Sequence, residues 1–429
     1  MRRVLFALAG ALLLAGALRA DADGPSELKL AVIVTRHGVR PPLVANKDIA
    51  LYSADPWPQW SAPPSYLTPH GRRQMVLMGA YYRELYTREG LLTGRPEEDG
   101  RSLHVYADSD QRTIETGRAL AEGLAPGAAV TIHSKAQGQP DALFTPTKLK
   151  LGGPSLAMGR AALLGRIGGD VQSIVTAEAP NFELLERILF GGDGTPPPGK
   201  VALLRMPWDA RPGKAEVIDF DGPLHKAENL TDDLLLEYAE GMPMAQVGWG
   251  RMSRADLTRL LELHARYFDL TQRTFYMAQA QSSNLASHIL DAMEQAVDPP
   301  AGRSQAAGPR MIVLVGHDTN QANLSGLLSL EWQLPGTQPD PMLPGGALVF
   351  ELRRHGGSGG WFVRAFYVSQ SLEQTRELAA LSLRSPPQTA PIFIPGCSGE
   401  EAGFEAPLEK FAALVRRRID PRYVAPEGF

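Results

Sequence analysis

A chain of 429 residues with 43 basic against 47 acidic side chains has a formal charge of -4, which excludes the basic surface that a nucleic-acid binder needs. Its one cysteine, Cys397, excludes an intramolecular disulfide framework, so stability has to come from an apolar core. With 44% apolar residues and neither low-complexity tracts nor a repeat period, the composition suits one large or two moderate globular domains.

Arg2 and Arg3 precede an apolar run from Val4 to Leu18 and the small-residue site Ala20-Asp21-Ala22, the layout of a secretory signal peptide over residues 1–22. The run is short for a spanning helix and no cysteine follows it for lipid attachment, so no membrane partner is expected. The mature chain should begin near Asp23 with a charge of about -6, in a periplasmic or secreted setting. Residues 28–35 (LKLAVIVT) then read as a buried strand, continuous in apolar and β-branched residues as parallel sheets covered on both faces require. It runs straight into Arg36-His37-Gly38-Val39-Arg40-Pro41-Pro42.

Next comes a helix with Thr68 as N-cap, Pro69 at its first position, Met75, Met78, Tyr82 and Leu85 on one face, and Gly90 as its stop. A strand over 103–107 leads through "DSDQRT" into a helix from about Thr113, and 129–134 reads as another short strand. Residues 155–190 and 253–296 have helical patterns, with the loop "GGDGTPPPGK" at 191–200 between them. The strand signal returns in "RMIVLVGHD", a helix follows over "NQANLSGLLSL", and "ALVFELRR" and "WFVRAFYVSQ" flank a glycine-rich turn as a hairpin. The pattern predicts an α/β fold with a mainly parallel sheet flanked by helices, built from about 28–140 and 305–425, with an all-helical domain over 141–304.

Ligands of parallel sheets bind beyond the carboxyl ends of the strands. Here those ends carry Arg36 to Arg40, Asp108 to Arg112, and Gly316-His317-Asp318-Thr319-Asn320. Guanidinium forks fit phosphate oxygens and keep their charge, so Arg36, Arg40 and Arg112 suit a phosphomonoester dianion. The same cations disfavour imidazolium and would keep a nearby histidine neutral and nucleophilic. Gly38 would let the backbone approach the phosphate. Asp318 equally suits a helix cap, and Arg112 has Asp108, Asp110 and Glu115 at hand to pair with.

"RHGVRPP", "DSDQRT" and "GHDTN", in this order, resemble the histidine acid phosphatase family, branch 2 of the histidine phosphatase superfamily, in its bacterial periplasmic group of phytases and glucose-1-phosphatases. "YLTPHG", "GMPMAQVGWG", "LPGGALVFE" and "IPGC" extend the likeness over most of the chain. The resemblance implies a phosphoglycerate-mutase-like core and an exported acid phosphatase. In it His37 attacks phosphorus, Arg36, Arg40, Arg112 and His317 hold the phosphoryl group, and Asp318 protonates the leaving alcohol. It implies no metal and no organic cofactor, and a small phosphomonoester, an inositol phosphate or a sugar phosphate, as the partner. Phytases of this group follow the first motif with Thr and Lys, where this chain has Leu43 and Val44, while "HDTN" is the phytase-like form.

Two other readings compete. "VIDFDGP" at 217–223 has the look of a Mg²⁺-dependent haloacid-dehalogenase phosphatase with Asp219 as nucleophile and Asp221 as acid, but Pro223 stands where that family has Thr or Ser, and Asp232-Asp233 comes too early for its late acidic pair. The other is a phosphoester-binding protein that does not turn over. A thiol phosphatase is excluded because Gly403 stands six residues after Cys397, where an arginine is needed.

Overall fold

The apolar run of residues 28–35 becomes the middle of one sheet. A computed structural model describes residues 26–207, 222–299, 308–357, 359–401 and 403–429, so the expected leader at 1–22 and the Asp219/Asp221 pair lie outside the described residues. Strands β1 (Ser26–Arg36), β2 (Leu103–Ala107), β3 (Ile132–His133), β4 (Met311–Gly316), β5 (Ala347–His355), β6 (Trp361–Ser369), β7 (Gln388–Ile392) and β8 (Ala406–Pro407) lie in the order β3-β2-β4-β1-β5-β6-β7, with β8 beside β6. The first four in that order are parallel, and β5 to β8 form an antiparallel wing. The sheet is thus mixed with a parallel core, and the expected 347–369 hairpin is its β5–β6 pair.

Among the described residues, four helices precede the long helical stretch: α1 (Asn46–Ile49), α2 (Pro69–Arg88), α3 (Pro96–Ser102) and α4 (Gln111–Leu124). The stretch itself holds α5 (Leu156–Arg166), α6 (Val171–Phe190), α7 (Pro223–Ala239), α8 (Arg254–Thr271) and α9 (Phe275–Val297). Then come α10 (Asp318–Leu328), α11 (Leu372–Arg376) and α12 (Leu408–Arg418). Strand side chains alternate between faces, and both faces of the core are covered. Ala31 and Ile33 pack with Met75, Met78 and Tyr82 of α2 and Leu120 of α4. Val32 and Val34 belong to the opposite cluster, which takes in Ile289, Leu324 and Phe411 and continues through Phe182, Leu234 and Leu260.

Thr68 accepts from the Gly71 amide as the cap of α2, with Pro69 at the first position, as the sequence predicts. The expected 129–134 strand shrinks to Ile132–His133, an edge held only by β2. Register is what positions the site: Ala107 lies beside Val315, and Gly316 beside Arg36, so three strands end level with one another.

Candidate active site

The backbone leaving β1 is fixed atom by atom. Arg36 N–H donates to Gly346 O at 2.9 Å and His37 N–H to Gly316 O at 3.1 Å, while His37 O accepts from Gly345 N at 2.9 Å. Gly38 N–H then donates to Thr116 Oγ1 and Val39 N–H to Gln74 Oε1, both at 3.1 Å. Every amide from 36 to 39 is satisfied, which leaves the loop little freedom. Gly38 owes its identity to packing: a Cβ there would lie 2.8 Å from Gly71 O, and one on Gly71 would lie 2.2 Å from Val39 O. Helix α2 therefore seats directly on the loop, a reason for Gly38 other than close approach to phosphate.

His37 is buried, and its Nδ1 lies 2.8 Å from Gly38 O. A carbonyl can only accept, so Nδ1 carries the proton and Nε2 presents a bare lone pair. Burial first, then the charges of Arg112, Arg40, Arg36 and His317, push the imidazole well below its ordinary pKa. Its ring stands edge-on to His317 with centroids 5.6 Å apart.

The arginines are pinned by their terminal nitrogens. Arg36 Nη1 donates to Met342 O at 2.7 Å, and its Nη2 meets Asp232 Oδ1 at 2.8 Å and Asp318 Oδ2 at 3.0 Å. Arg40 donates from Nη1 to Pro41 O and from Nη2 to Asp232 Oδ2, each at 3.0 Å. Arg112 pairs with Asp110 at 2.7 Å and brings Nη2 to 3.4 Å from His317 Nδ1. Its guanidinium pKa is brought down to about 10 by burial and by Arg40. In all three the buried Nε has no hydrogen-bond partner in the protein. Three buried guanidinium donors without a protein partner, on arginines whose charges bear on His37, suit an anion with several oxygens.

His317 Nε2 donates to Asp108 Oδ2 at 2.7 Å, which orients the ring. Burial acts to raise the Asp108 pKa, and His317 overcomes it, leaving the carboxyl below its usual range. Asp318 starts α10, with Oδ1 accepting from Thr319 N–H at 2.8 Å. The end of the helix is tied off by Asn320, whose Oδ1 accepts from His317 N–H at 2.9 Å, so Asp318 keeps Oδ2 for Arg36. Asp108, Asp110 and His317 also bring polar side-chain atoms within 4.8 Å of one another. Their geometry is already that of ion pairs with each other and with Arg112.

All six residues singled out in the sequence thus meet at one mouth. Sequence reasoning missed Asp232, which comes from α7 and ties Arg36 to Arg40. Burial acts against its charge, but Arg36, Arg40 and His264 hold it well below the carboxylate range. Leu43 and Val44, which follow the prolines, are exposed.

The signature of the histidine phosphatase superfamily (branch 2) matches residues 27–162. The chain is 35% identical to Phytase AppA of Escherichia coli (strain K12) over 421 residues, 94% of this chain and 95% of that one. It is 29% identical to a glucose-1-phosphatase of Salmonella typhimurium, covering 94% and 96%. Among solved structures, the Hafnia alvei phytase in complex with myo-inositol hexakis sulphate superposes with a TM-score of 0.84 at 32% identity, over 94% of this chain and 99% of that one.

Proposed function

The chain belongs to the histidine phosphatase superfamily (branch 2), and from that premise we propose that it is an exported acid phosphatase acting on phosphomonoesters of polyhydroxy alcohols, inositol phosphates or sugar phosphates. The observation that carries this reading is the bare Nε2 of His37 among three buried guanidinium groups whose Nε–H donors have no protein partner. The signal-like segment at 1–22 supports export. No helix among the described residues is long and apolar enough to cross a membrane.

In the first step the Nε2 lone pair attacks phosphorus and the bond from phosphorus to the alcohol oxygen breaks. Asp318 gives its proton to that oxygen, and phosphohistidine forms. In the second step water attacks phosphorus, Asp318 takes the water proton, and the phosphorus–nitrogen bond returns its electron pair to His37. Arg36, Arg40, Arg112 and His317 hold the phosphoryl oxygens throughout and spread the charge that develops on them. Helices α7 and α8, which bring Asp232 and His264 up to the arginines, are the part of the helical stretch that we assign to the side of the alcohol. Leu43 and Val44 replace the Thr and Lys of phytases and argue against tight binding of a highly charged ester, whereas "HDTN" argues for one.

Phosphate release at pH 4 to 6 with EDTA present, from phytate, glucose-1-phosphate and p-nitrophenyl phosphate, tests the reading beside His37→Ala. We expect release that survives EDTA, is inhibited by vanadate and vanishes in the variant. Release that requires Mg²⁺ would transfer the chemistry to Asp219 and Asp221, and binding without release would leave a phosphoester-binding protein. The substrate ranking weighs Leu43 and Val44 against "HDTN".

A further inference from the structure

Asp232 spends both carboxylate oxygens on the clamp, Oδ1 on Arg36 at 2.8 Å and Oδ2 on Arg40 at 3.0 Å. It is buried and stands 196 residues from Arg36 in the chain. Arg36 Nη2 is shared between Asp232 and Asp318, which lies 3.0 Å away. A guanidinium facing a single carboxylate holds it as the anion, and a second carboxylate on the same nitrogen divides that pull.

We propose that Asp232 is a positioning residue that fixes the Arg36 and Arg40 forks with their Nε donors turned free, and that draws part of the charge of Arg36 away from Asp318 so that Asp318 can cycle its proton. The proposal rests on the roles of His37 and Asp318 given above. Arg36 at the end of β1, Arg40 beyond it and His264 of α8 bear on Asp232, which itself bears on the adjacent Asp233, while Arg36, Arg112, His264 and Tyr367 of β6 face Asp318. His264, with Nδ1 3.3 Å from Glu228, has its pKa raised: burial opposes the charge, but Glu228, Asp232 and Asp318 outweigh it. Asp233 is pushed well above the carboxylate range by burial, which Arg40 opposes and the neighbouring Asp232, Glu237 and Glu228 reinforce. Of these two adjacent buried carboxyls, Asp232 is the one whose oxygens pair with Arg36 and Arg40.

The test is Asp232→Asn, which keeps size and removes charge, in the full mature chain. Its alkaline rate limb is expected to move down by on the order of one pH unit, because Arg36 then faces Asp318 alone. Turnover of glucose-1-phosphate should fall about tenfold more than that of p-nitrophenyl phosphate, whose leaving group needs little protonation. An unmoved limb with equal loss on both esters, alongside a lower Tm, would overturn the proposal and leave Asp232 a packing residue. Should the variant not fold, Asp232→Glu decides: with the charge kept the limb must stay, and a limb that shifts there overturns the proposal as well. Asp318→Asn is measured in parallel. If it loses equally on both esters, the role of Asp318 itself fails, and that failure is distinguishable because it occurs with Asp232 intact.

Discussion

His37 is useful because its surroundings refuse it a second proton. Burial and three guanidinium charges hold it neutral where a free imidazole would be half protonated. In the proposed reaction a protonated His37 cannot attack, so the acid limb of the rate profile should begin well below the ordinary imidazole value; a break near pH 6.5 in kcat/KM would refute this. Arg112 is the largest charged contributor to that depression after burial. Arg112→Ala is therefore expected to move the acid limb upward as well as to raise KM, whereas a residue that only binds phosphate would change KM alone. The triplet Arg36-His37-Gly38 and the pair His317-Asp318 announce themselves in the sequence because each lies on one strand exit. Asp232 announces nothing, since its meaning arises only when a helix residue meets arginines far away in the chain.

The second half of helix α7 is buried on every side, with Thr231 to Ala239 continuously out of solvent, and it carries carboxyls into that interior. Burial pushes Glu237 up to about 8, partly opposed by the Gly248 amide that it accepts at 3.0 Å. Glu240 is pushed up to about 7 by burial, partly opposed by the Thr68 hydroxyl at 2.6 Å. The folded state thus keeps protons that the unfolded chain releases near pH 4.5. The resulting stability is full below that value and is lost as pH rises through about 8 for Glu237, at about 1.4 kcal/mol per pH unit. Thermal unfolding is accordingly expected to show Tm falling between pH 5 and 8, with a shallower slope in Glu237→Gln; a Tm that rises over this range would contradict the assignment. Legibility differs among elements for the same reason that α7 is unusual. The α2 cap and β1 carry local signals, a Thr-Pro start and an apolar run. In α7 the buried residues include Asp232, Asp233 and Glu237, which breaks its apolar period, and β7, at the edge of the sheet, holds Pro391 and gives no strand pattern.

At the scale of the whole chain, alternation of strands and helices predicts the parallel core, and the hairpin predicts part of the antiparallel wing. What pattern does not contain is strand order, because pairing is decided by which apolar faces can be covered together. Cohesion without a disulfide is also a whole-molecule property. Cys397 is buried, with Sγ 3.4 Å from Lys410 O, and burial pushes its thiol pKa up. Reducing agents should therefore leave both Tm and phosphatase rate unchanged, and a fall in either on adding dithiothreitol would show a dependence on an intermolecular bridge. The sheet order has a consequence in time. Strand β4 lies between β1 and β2, although it begins at Met311, long after β1 ends at Arg36 and β2 at Ala107. A polypeptide emerging amino end first carries His37 with an open edge on its pocket side until residue 316 has followed. The clamp then closes in one late insertion that supplies His317 and Asp318 together, so the nascent chain has no chemistry to perform before it is nearly complete, and a long-range pairing sets its folding rate.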